Sequence, residues 1–235
     1  MIKTSAIMLR ALTGSRAHGT ETEDSDYDWI TAHILDKAYY LGIKSEVRPD
    51  ALQEGDTTDH EVRHFIGMCC KFNPNTIVAL WSPNVAVSRE WTWLTEQRHL
   101  FNSKKAITTF LRFATGQIKQ AGNPNTMGQL GAKRKALIDK YGYDPTFLYH
   151  AMRVAKMIRE FAESNGDILR VNRRGIDDQY LLAVRNAMIP LDSCIENFNQ
   201  LREEIREAEK TCTLPDEPNY AEINRLTVQS MEASL

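Results

Sequence analysis

The spacing of apolar residues changes along the chain, from short apolar runs to a helical repeat. Two brief runs near the amino terminus, residues 7–12 and 27–33, predict strands because turn-forming residues bound them. Residues 36–58 contain breakers at Gly42, Pro49 and Gly55 and predict one or two edge strands that end near residue 56. The first part of the chain therefore indicates a small sheet.

Helical spacing dominates after residue 58. Apolar residues between Val62 and Phe72 recur every three or four positions, which predicts a helix from Asp59 to the Asn73-Pro74-Asn75 turn. The same repeat predicts helices over residues 90–101, 105–120, 128–141, 145–163, 178–188 and 193–210, with one short strand over 168–171. We therefore expect an α+β fold, with a sheet-containing domain over residues 1–102 and a mostly helical domain over 103–235.

Composition narrows the class of protein. The 235 residues are 42% hydrophobic and 26% charged, which is typical of a globular protein. The first residues lack the pattern of an export signal, and no run approaches the roughly 20 apolar residues of a membrane span, so we expect a cytoplasmic protein without membrane contact. The four cysteines show no CxxC spacing and predict free thiols. A net charge of −2 argues against a broadly basic nucleic-acid-binding surface.

Candidate chemistry concentrates between residues 14 and 28. If Tyr27 lies on a strand, Asp26 and Asp28 project from the same face, where their charges repel unless a cation lies between them. Mg²⁺ is the natural partner of carboxylate and triphosphate oxygens together. Gly14 and Ser15, at the end of the preceding predicted strand, offer backbone N–H groups and a hydroxyl to phosphates. A third carboxylate would complete such a site; Asp56 is the first candidate and Asp59 the second.

These residues resemble a known family. The segment from Gly14 to Gly19, followed by Ser25-Asp-Tyr-Asp28, resembles the Gly-Ser and Asp-x-Asp signature of DNA polymerase β-like nucleotidyltransferases. More narrowly, it resembles the predicted bacterial and phage nucleotidyltransferases that include an RNA-repair-associated polymerase β-like protein. Residues 56–65 and 71–75 are similar to that family's strand, helix and turn. Further similarity is carried by Lys133-Arg134-Lys135, residues 141–145, His150, Arg153, Arg185-Asn186 and Leu214-Pro215. Val78 and Ala187 depart from the family pattern, which leaves any role of those two positions open.

The resemblance implies a minimal nucleotidyltransferase domain, a short mixed sheet with helices, followed by the helical domain. It implies that Asp26, Asp28 and Asp56 hold two Mg²⁺ ions, with Mn²⁺ as an alternative, and that an NTP such as ATP donates its NMP to a hydroxyl, releasing pyrophosphate. The acceptor stays open among an RNA end such as that of tRNA, a protein and a small molecule. The candidate nucleotide-binding residues are Gly14, Ser15, Arg16, His18, Lys133, Arg134, His150 and Arg153.

Two other functions compete with this interpretation. His60-Glu61-Val62-Arg63-His64 matches His-Glu-x-x-His, which on a helix places two imidazoles for Zn²⁺ and a glutamate as base. The extended pattern with a third histidine is missing. The other alternative is a non-catalytic module, such as a nucleotide sensor or an antitoxin-like partner.

Overall fold

The computed structural model describes residues 4–43, 52–54, 56–121 and 132–235. Within them lies one five-stranded sheet, made of β1 (Thr4–Leu12), β2 (Trp29–Leu35), β3 (Leu52–Glu54), β4 (Thr57–Glu61) and β5 (Val85–Val87). The strand order is β3-β4-β2-β1-β5. β2 and β4 run parallel, whereas the other three neighbouring pairs are antiparallel. The sheet is therefore mixed, and the α+β fold class is confirmed.

Strand register brings three chain segments to one end of the sheet. In the parallel pair Trp29 lies opposite Thr57, and in the antiparallel pair it lies opposite Leu12. The hydrogen bonds continue past the strands: Trp29 N–H donates to the carbonyl oxygen of Asp56 at 2.9 Å, and Thr13 N–H donates to that of Asp28 at 2.8 Å. The residues that follow β1 and precede β2 and β4 are therefore neighbours.

Helices account for most of the rest of the described chain. They are α1 (Gly14–His18), α2 (Lys37–Leu41), α3 (Val62–Cys70), α4 (Pro74–Ile77), α5 (Trp93–Glu96), α6 (Lys104–Ala121), α7 (Ala132–Tyr141), α8 (Pro145–Glu163), α9 (Asp178–Arg185), α10 (Leu191–Thr211) and α11 (Tyr220–Ser234). Short 3₁₀ turns cover Val78–Trp81, Arg89–Trp91 and Arg98–Phe101. The prediction for residues 145–163 matches α8, which begins with Pro145 and is capped by the Asp144 carboxylate accepting from Thr146 N–H at 2.9 Å.

Two predicted starts in the sheet region are wrong by a few residues. The strand predicted over 27–33 begins at Trp29, because pairing with β4 starts there. The helix predicted from Asp59 begins at Val62, since residues 57–61 pair with β2 as β4. Glu61 ends that strand and caps the helix, its carboxylate accepting from His64 N–H at 3.1 Å. Sheet pairing outweighs helical spacing in this segment.

Local pattern also failed at several places after residue 84. Residues 90–101 form two 3₁₀ turns and the four-residue α5 rather than one helix. Residues 168–171 are not a strand; Leu169 and Val171 are buried there without pairing in the sheet. β5 and α11 were not predicted. α11 buries only a narrow apolar stripe, so its sequence gives a weak signal.

One connected cluster of buried apolar side chains joins the sheet to the helices. α8 is central, since it packs against α6, α9 and α10. Phe72, just after α3, packs with ring-centroid distances of 5.5 Å to Phe110 of α6 and 5.1 Å to Phe161 of α8. Burying each such ring contributes about 1.5–3 kcal/mol. This contact fixes α8 relative to the sheet.

Two simpler expectations concern the cysteines and the membrane. All four cysteines are buried and unpaired, as their spacing predicts. Among the described residues, none of the helices has the length and hydropathy to cross a bilayer.

Candidate active site

A polar cavity of about 820 Å³ opens at the end of the sheet where β1 ends and β2 and β4 begin. Its lining includes Gly14, Ser15 and His18 from α1, the aspartates before β2 and β4, and side chains of α8 and α9. One wall is therefore acidic and comes from the sheet. A basic wall comes from α8 and α9, which begin at least 89 residues after Asp56.

Four carboxylates line the acidic wall, those of Asp24, Asp26, Asp28 and Asp56, and the last three are the predicted metal ligands. Asp28 and Asp56 occupy equivalent positions before the parallel strands β2 and β4, and Asp26 lies two residues upstream of Asp28. Burial, and then the nearby charges of Asp56 and Asp26, raise the pKa of the Asp28 carboxyl. A carboxylate whose proton affinity is raised by neighbouring carboxylates marks a favourable place for a cation.

Tyr27 separates Asp26 from Asp28 and points the other way. Its ring is exposed, and the Arg16 guanidinium carbon lies 4.0 Å from its centroid. Arg16 also donates to the carbonyl oxygen of Ser25 from Nε at 3.0 Å and from Nη2 at 2.7 Å. Arg16, predicted to bind nucleotide, therefore braces the acidic loop in this structure and lies outside the residues that line the cavity.

Gly14 lies directly against Asp28. Its φ of +64° belongs to the left-handed region, and a Cβ at this position would lie 1.8 Å from Asp28 Oδ2. Only glycine fits between the end of β1 and that carboxylate. Ser15 follows in the first turn of α1, where backbone N–H groups have no partner within the helix. The Gly-Ser pair thus borders the carboxylates, although it begins a helix rather than forming a simple turn.

The basic wall contains a buried arginine without an acidic partner. Arg153 on α8 is 6% exposed, and burial lowers its pKa. Its Nε is buried without a hydrogen bond, and within the described residues no carboxylate forms an ion pair with it. Its Nη1 contacts Met157 Sδ at 3.6 Å and lies 3.4 Å from Nδ1 of His18.

His18 does not accept a hydrogen bond from the Arg153 guanidinium. His18 Nδ1 lies 3.0 Å from the carbonyl oxygen of Val171, which can only accept, so Nδ1 carries the proton and donates to it. That nitrogen cannot also accept from Arg153. Burial, followed by the charge of Arg153, holds the pKa of His18 well below its usual value. The imidazole is therefore neutral at pH 7 and serves to hold α1 against residue 171.

Tyr149 and Arg185 complete the basic wall and were not among the predicted site residues. The Tyr149 ring lies between the guanidinium carbons of Arg153, at 5.9 Å, and Arg185, at 5.8 Å. Its hydroxyl is 2.6 Å from Oγ1 of Thr20, and Arg185 Nη1 donates to the carbonyl oxygen of Thr20 at 3.3 Å. His150, predicted to bind nucleotide, also lines the cavity. In the sequence, Arg185 is part of the family resemblance only. It lies at the end of α9, where neighbouring residues give no indication of a binding site.

Three candidates remain, and the structure locates one of them relative to the cavity. Lys133 and Arg134 fall in α7, but their side chains lie outside the described residues. Asp59, the second candidate for the third carboxylate, is on β4 opposite Thr31 and does not line the cavity, whereas Asp56 does.

The His-Glu-x-x-His residues do not share one helix, as the zinc site of such a peptidase requires, although the His60 and His64 rings stack with centroids 5.5 Å apart. His60 and Glu61 lie on β4 rather than on the helix that carries His64. The Glu61 carboxylate is engaged by the Tyr40 hydroxyl at 2.9 Å and by Arg63 at 3.3 Å, so it is not available as a base. The zinc-peptidase alternative is therefore wrong.

The acidic wall fits a hard metal ion in its donor chemistry. Asp26, Asp28 and Asp56 supply only oxygen atoms, which suit Mg²⁺ and Mn²⁺. Across the described ranges, no three His, Cys, Asp or Glu side chains are drawn together as closely as a bound metal requires. Carboxylates that repel one another are expected to stay apart without a cation, and Asp26 and Asp56 are exposed enough to rotate.

Comparison with known proteins gave one match. The family model described as RlaP, RNA repair pathway DNA polymerase beta family, matches residues 2–229. No curated protein and no solved structure matches the chain.

Proposed function

Because the chain belongs to the RNA repair pathway DNA polymerase beta family, we propose that it is an Mg²⁺-dependent nucleotidyltransferase that moves an NMP from an NTP to a hydroxyl of an acceptor. The observation that carries the proposal is the convergence of Asp26, Asp28 and Asp56 on one cavity, where the other two carboxylates help to raise the pKa of Asp28. We also propose that the sheet-containing part, to residue 102, is the catalytic domain and that the helical part supplies the facing wall.

In this proposal Asp26 and Asp28 would hold two Mg²⁺ ions, and Asp56 would help to hold the second. When bound, the ions supply positive charge that activates the attacking hydroxyl and stabilises the leaving pyrophosphate. Gly14 and Ser15 hold the terminal phosphates through backbone N–H groups and the Ser15 hydroxyl. The Gly14 contact with Asp28 sets the distance between the phosphate-binding turn and the carboxylates.

The transfer requires little covalent chemistry from the protein. The acceptor oxygen forms a bond to the α-phosphorus as the bond to the bridging oxygen breaks, and pyrophosphate leaves with the electron pair of that bond. Asp56 accepts the proton of the attacking hydroxyl. The basic wall opposes the acidic wall, so Arg153, Arg185 and His150 are placed to offset phosphate charge while the NTP is held.

The acceptor is proposed from the family description and the local charge. The family name refers to RNA repair, and the cavity has a basic wall although the whole chain has a net charge of −2. An RNA end brings its hydroxyl together with a few phosphates, which a local basic wall can bind without a broadly basic surface. We therefore favour an RNA end over a protein or a small molecule.

The test is transfer of label from each α-³²P-labelled NTP, with Mg²⁺, to total RNA or to a protein lysate. Asp28→Asn should lower transfer at least about 100-fold, because losing several kcal/mol of transition-state stabilisation costs tenfold for each 1.4 kcal/mol. Its thermal midpoint should stay equal or rise, since the charged Asp28 carboxylate is disfavoured in the folded state. Glu23→Gln, an exposed change in the same loop, is the matched control and should retain transfer.

The alternatives give distinct results. Transfer that survives in Asp28→Asn contradicts the proposal. A wild-type protein that binds Mg²⁺-NTP but transfers nothing to any acceptor is a nucleotide-binding module. Label on a protein band rather than on RNA keeps the chemistry and replaces the acceptor.

A further inference from the structure

A second cavity of about 840 Å³ lies between α3 and α11, and the proposed transfer reaction does not use it. Its lining is mostly apolar, and it includes Ile66 and Cys70 of α3 and Ile223 and Met231 of α11. Large apolar side chains at its edge are exposed to solvent: Leu41 by 69% and Val228 by 47%. Exposed apolar surface of this kind commonly marks a binding face.

The cavity is a long groove between two helix faces. The lining residues of α11 recur at helical spacing from Tyr220 to Leu235, a span of about 22 Å at 1.5 Å per residue. The lining residues of α3 do the same from Arg63 to Lys71. In the middle of the α3 face is Gly67, and no heavy atom lies within 4 Å of the position where its Cβ would be. A small residue at this point allows another helix to approach closely.

The rim of the groove carries more positive than negative charge. Lys37, Arg63 and Lys71 line it, against one carboxylate, Glu232. Arg63 forms an ion pair with Glu61, with 3.3 Å between Nε and Oε1. Neither Lys37 nor Lys71 has an ion pair among the described residues. Two lysines are therefore available to carboxylates of a bound molecule.

We propose that the groove between α3 and α11 binds an amphipathic helix of a partner protein, with an apolar face toward the groove and acidic residues beside it. The length of the groove favours a helix, and helix-in-groove recognition places apolar anchors at every third or fourth position. The two unpaired lysines favour acidic flanks.

A second copy of the chain fits the groove less well. A symmetric dimer brings the same surface of each copy together, so the interface would contain six cationic side chains against two carboxylates.

The test uses a fluorescein-labelled synthetic helix of about 18 residues, with leucine along one face and glutamate on both sides of it, followed by anisotropy. One control peptide carries lysine in place of glutamate, and another has the same composition with its leucines scattered. We expect the glutamate peptide to bind at least about 10-fold more tightly than either control, a difference of about 1.4 kcal/mol. Lys71→Glu leaves two cationic and two acidic side chains on the rim, so it should abolish the preference for the glutamate peptide over the lysine peptide.

A pair of substitutions on α11 locates the binding. Val228→Glu places a charge on the exposed apolar edge and should weaken the glutamate peptide at least about 10-fold. Gln229→Glu adds the same charge next to it at an exposed position outside the groove lining and should leave binding unchanged. Neither should alter nucleotidyl transfer.

Three results overturn the proposal. Equal binding of the glutamate and control peptides removes the basis for an acidic amphipathic helix. Equal binding by wild type and Val228→Glu places the peptide elsewhere. Sedimentation that shows wild-type dimers and monomeric Val228→Glu assigns the groove to a second copy.

Discussion

Two arginines, Arg153 and Arg173, are almost fully buried near α8, and their surroundings are opposite. Arg173 binds the Glu160 carboxylate with its two terminal nitrogens at 2.8 and 2.9 Å, and Asp177 accepts from its Nη2 at 2.6 Å. Burial alone lowers its pKa, but the hydrogen bonds to Asp177 and Glu160 outweigh burial and raise it. Arg153 has no such carboxylate within the described residues, and burial lowers its pKa.

This contrast separates a structural charge from one that awaits a ligand. A buried charge is costly unless it is paired and hydrogen-bonded, and Arg173 meets that condition within the protein. Arg153 does not, and it lines the cavity that contains the three aspartates. The negative charge that balances Arg153 is therefore expected to come from outside the chain, as the phosphate of a nucleotide or an acceptor.

The largest expected effect comes from Arg173→Met. The substitution leaves the Glu160 and Asp177 carboxylates in a partly buried place without their common partner, and removing one member of a buried ion pair costs about 3–5 kcal/mol. We expect the thermal midpoint to fall by about 10 °C, as measured by calorimetry. A midpoint within 2 °C of the wild type would remove the distinction between the two arginines.

Arg153→Met should show the reverse pattern. The change removes an unpaired buried charge, so the thermal midpoint should stay equal or rise. Affinity for Mg²⁺-NTP or for the acceptor should fall about 10- to 100-fold, because a charge-assisted hydrogen bond contributes about 1.5–3 kcal/mol. Titration calorimetry with NTP and the apparent KM for RNA distinguish the two ligands. Unchanged affinity for both, with lower stability, would make Arg153 a structural residue.

The smallest expected effect is a change in how stability depends on pH, and it acts through His18. The pKa of folded His18 lies well below its usual value, owing to burial and then Arg153. The unfolded chain therefore binds the additional proton, and stability that is complete above about pH 6.5 is lost as the pH falls toward the folded pKa. Removing the charge of Arg153 raises the pKa of folded His18. Between pH 7 and pH 5 the thermal midpoint of Arg153→Met should therefore fall by about 2–4 °C less than that of the wild type.

Lys119→Met is the control for this comparison, since it removes a positive charge at an exposed position. His60, whose pKa burial and then His64 and His33 lower to about 4, is present in all three proteins and cancels from the comparison. Identical pH dependence in wild type and Arg153→Met would show that Arg153 does not act on His18.

Short-range pattern predicted the acidic wall well and the basic wall poorly. Asp26, Asp28 and Gly14 lie within 15 residues of one another, so their proximity follows from the short connection between β1 and β2, although residues 26–28 precede β2 and the predicted strand alternation does not apply to them. Asp56 follows from the expectation of a third carboxylate, and the parallel register of β2 with β4 places it beside Asp28. Arg185 and Tyr149 reach the cavity only because α8 and α9 pack across it, and no local repeat in their helices indicates that.

The sequence by itself determined the α+β class, the bounds of α8, and the aspartates that define the proposed site. These features depend on residue spacing and on capping over a few residues, which local sterics and burial decide. Only the tertiary structure decided that residues 57–61 pair as β4, that Arg153 stays unpaired, and that α3 and α11 leave a groove between them. Each of these depends on contacts between distant segments, whose free energy is set by packing and desolvation in the folded chain.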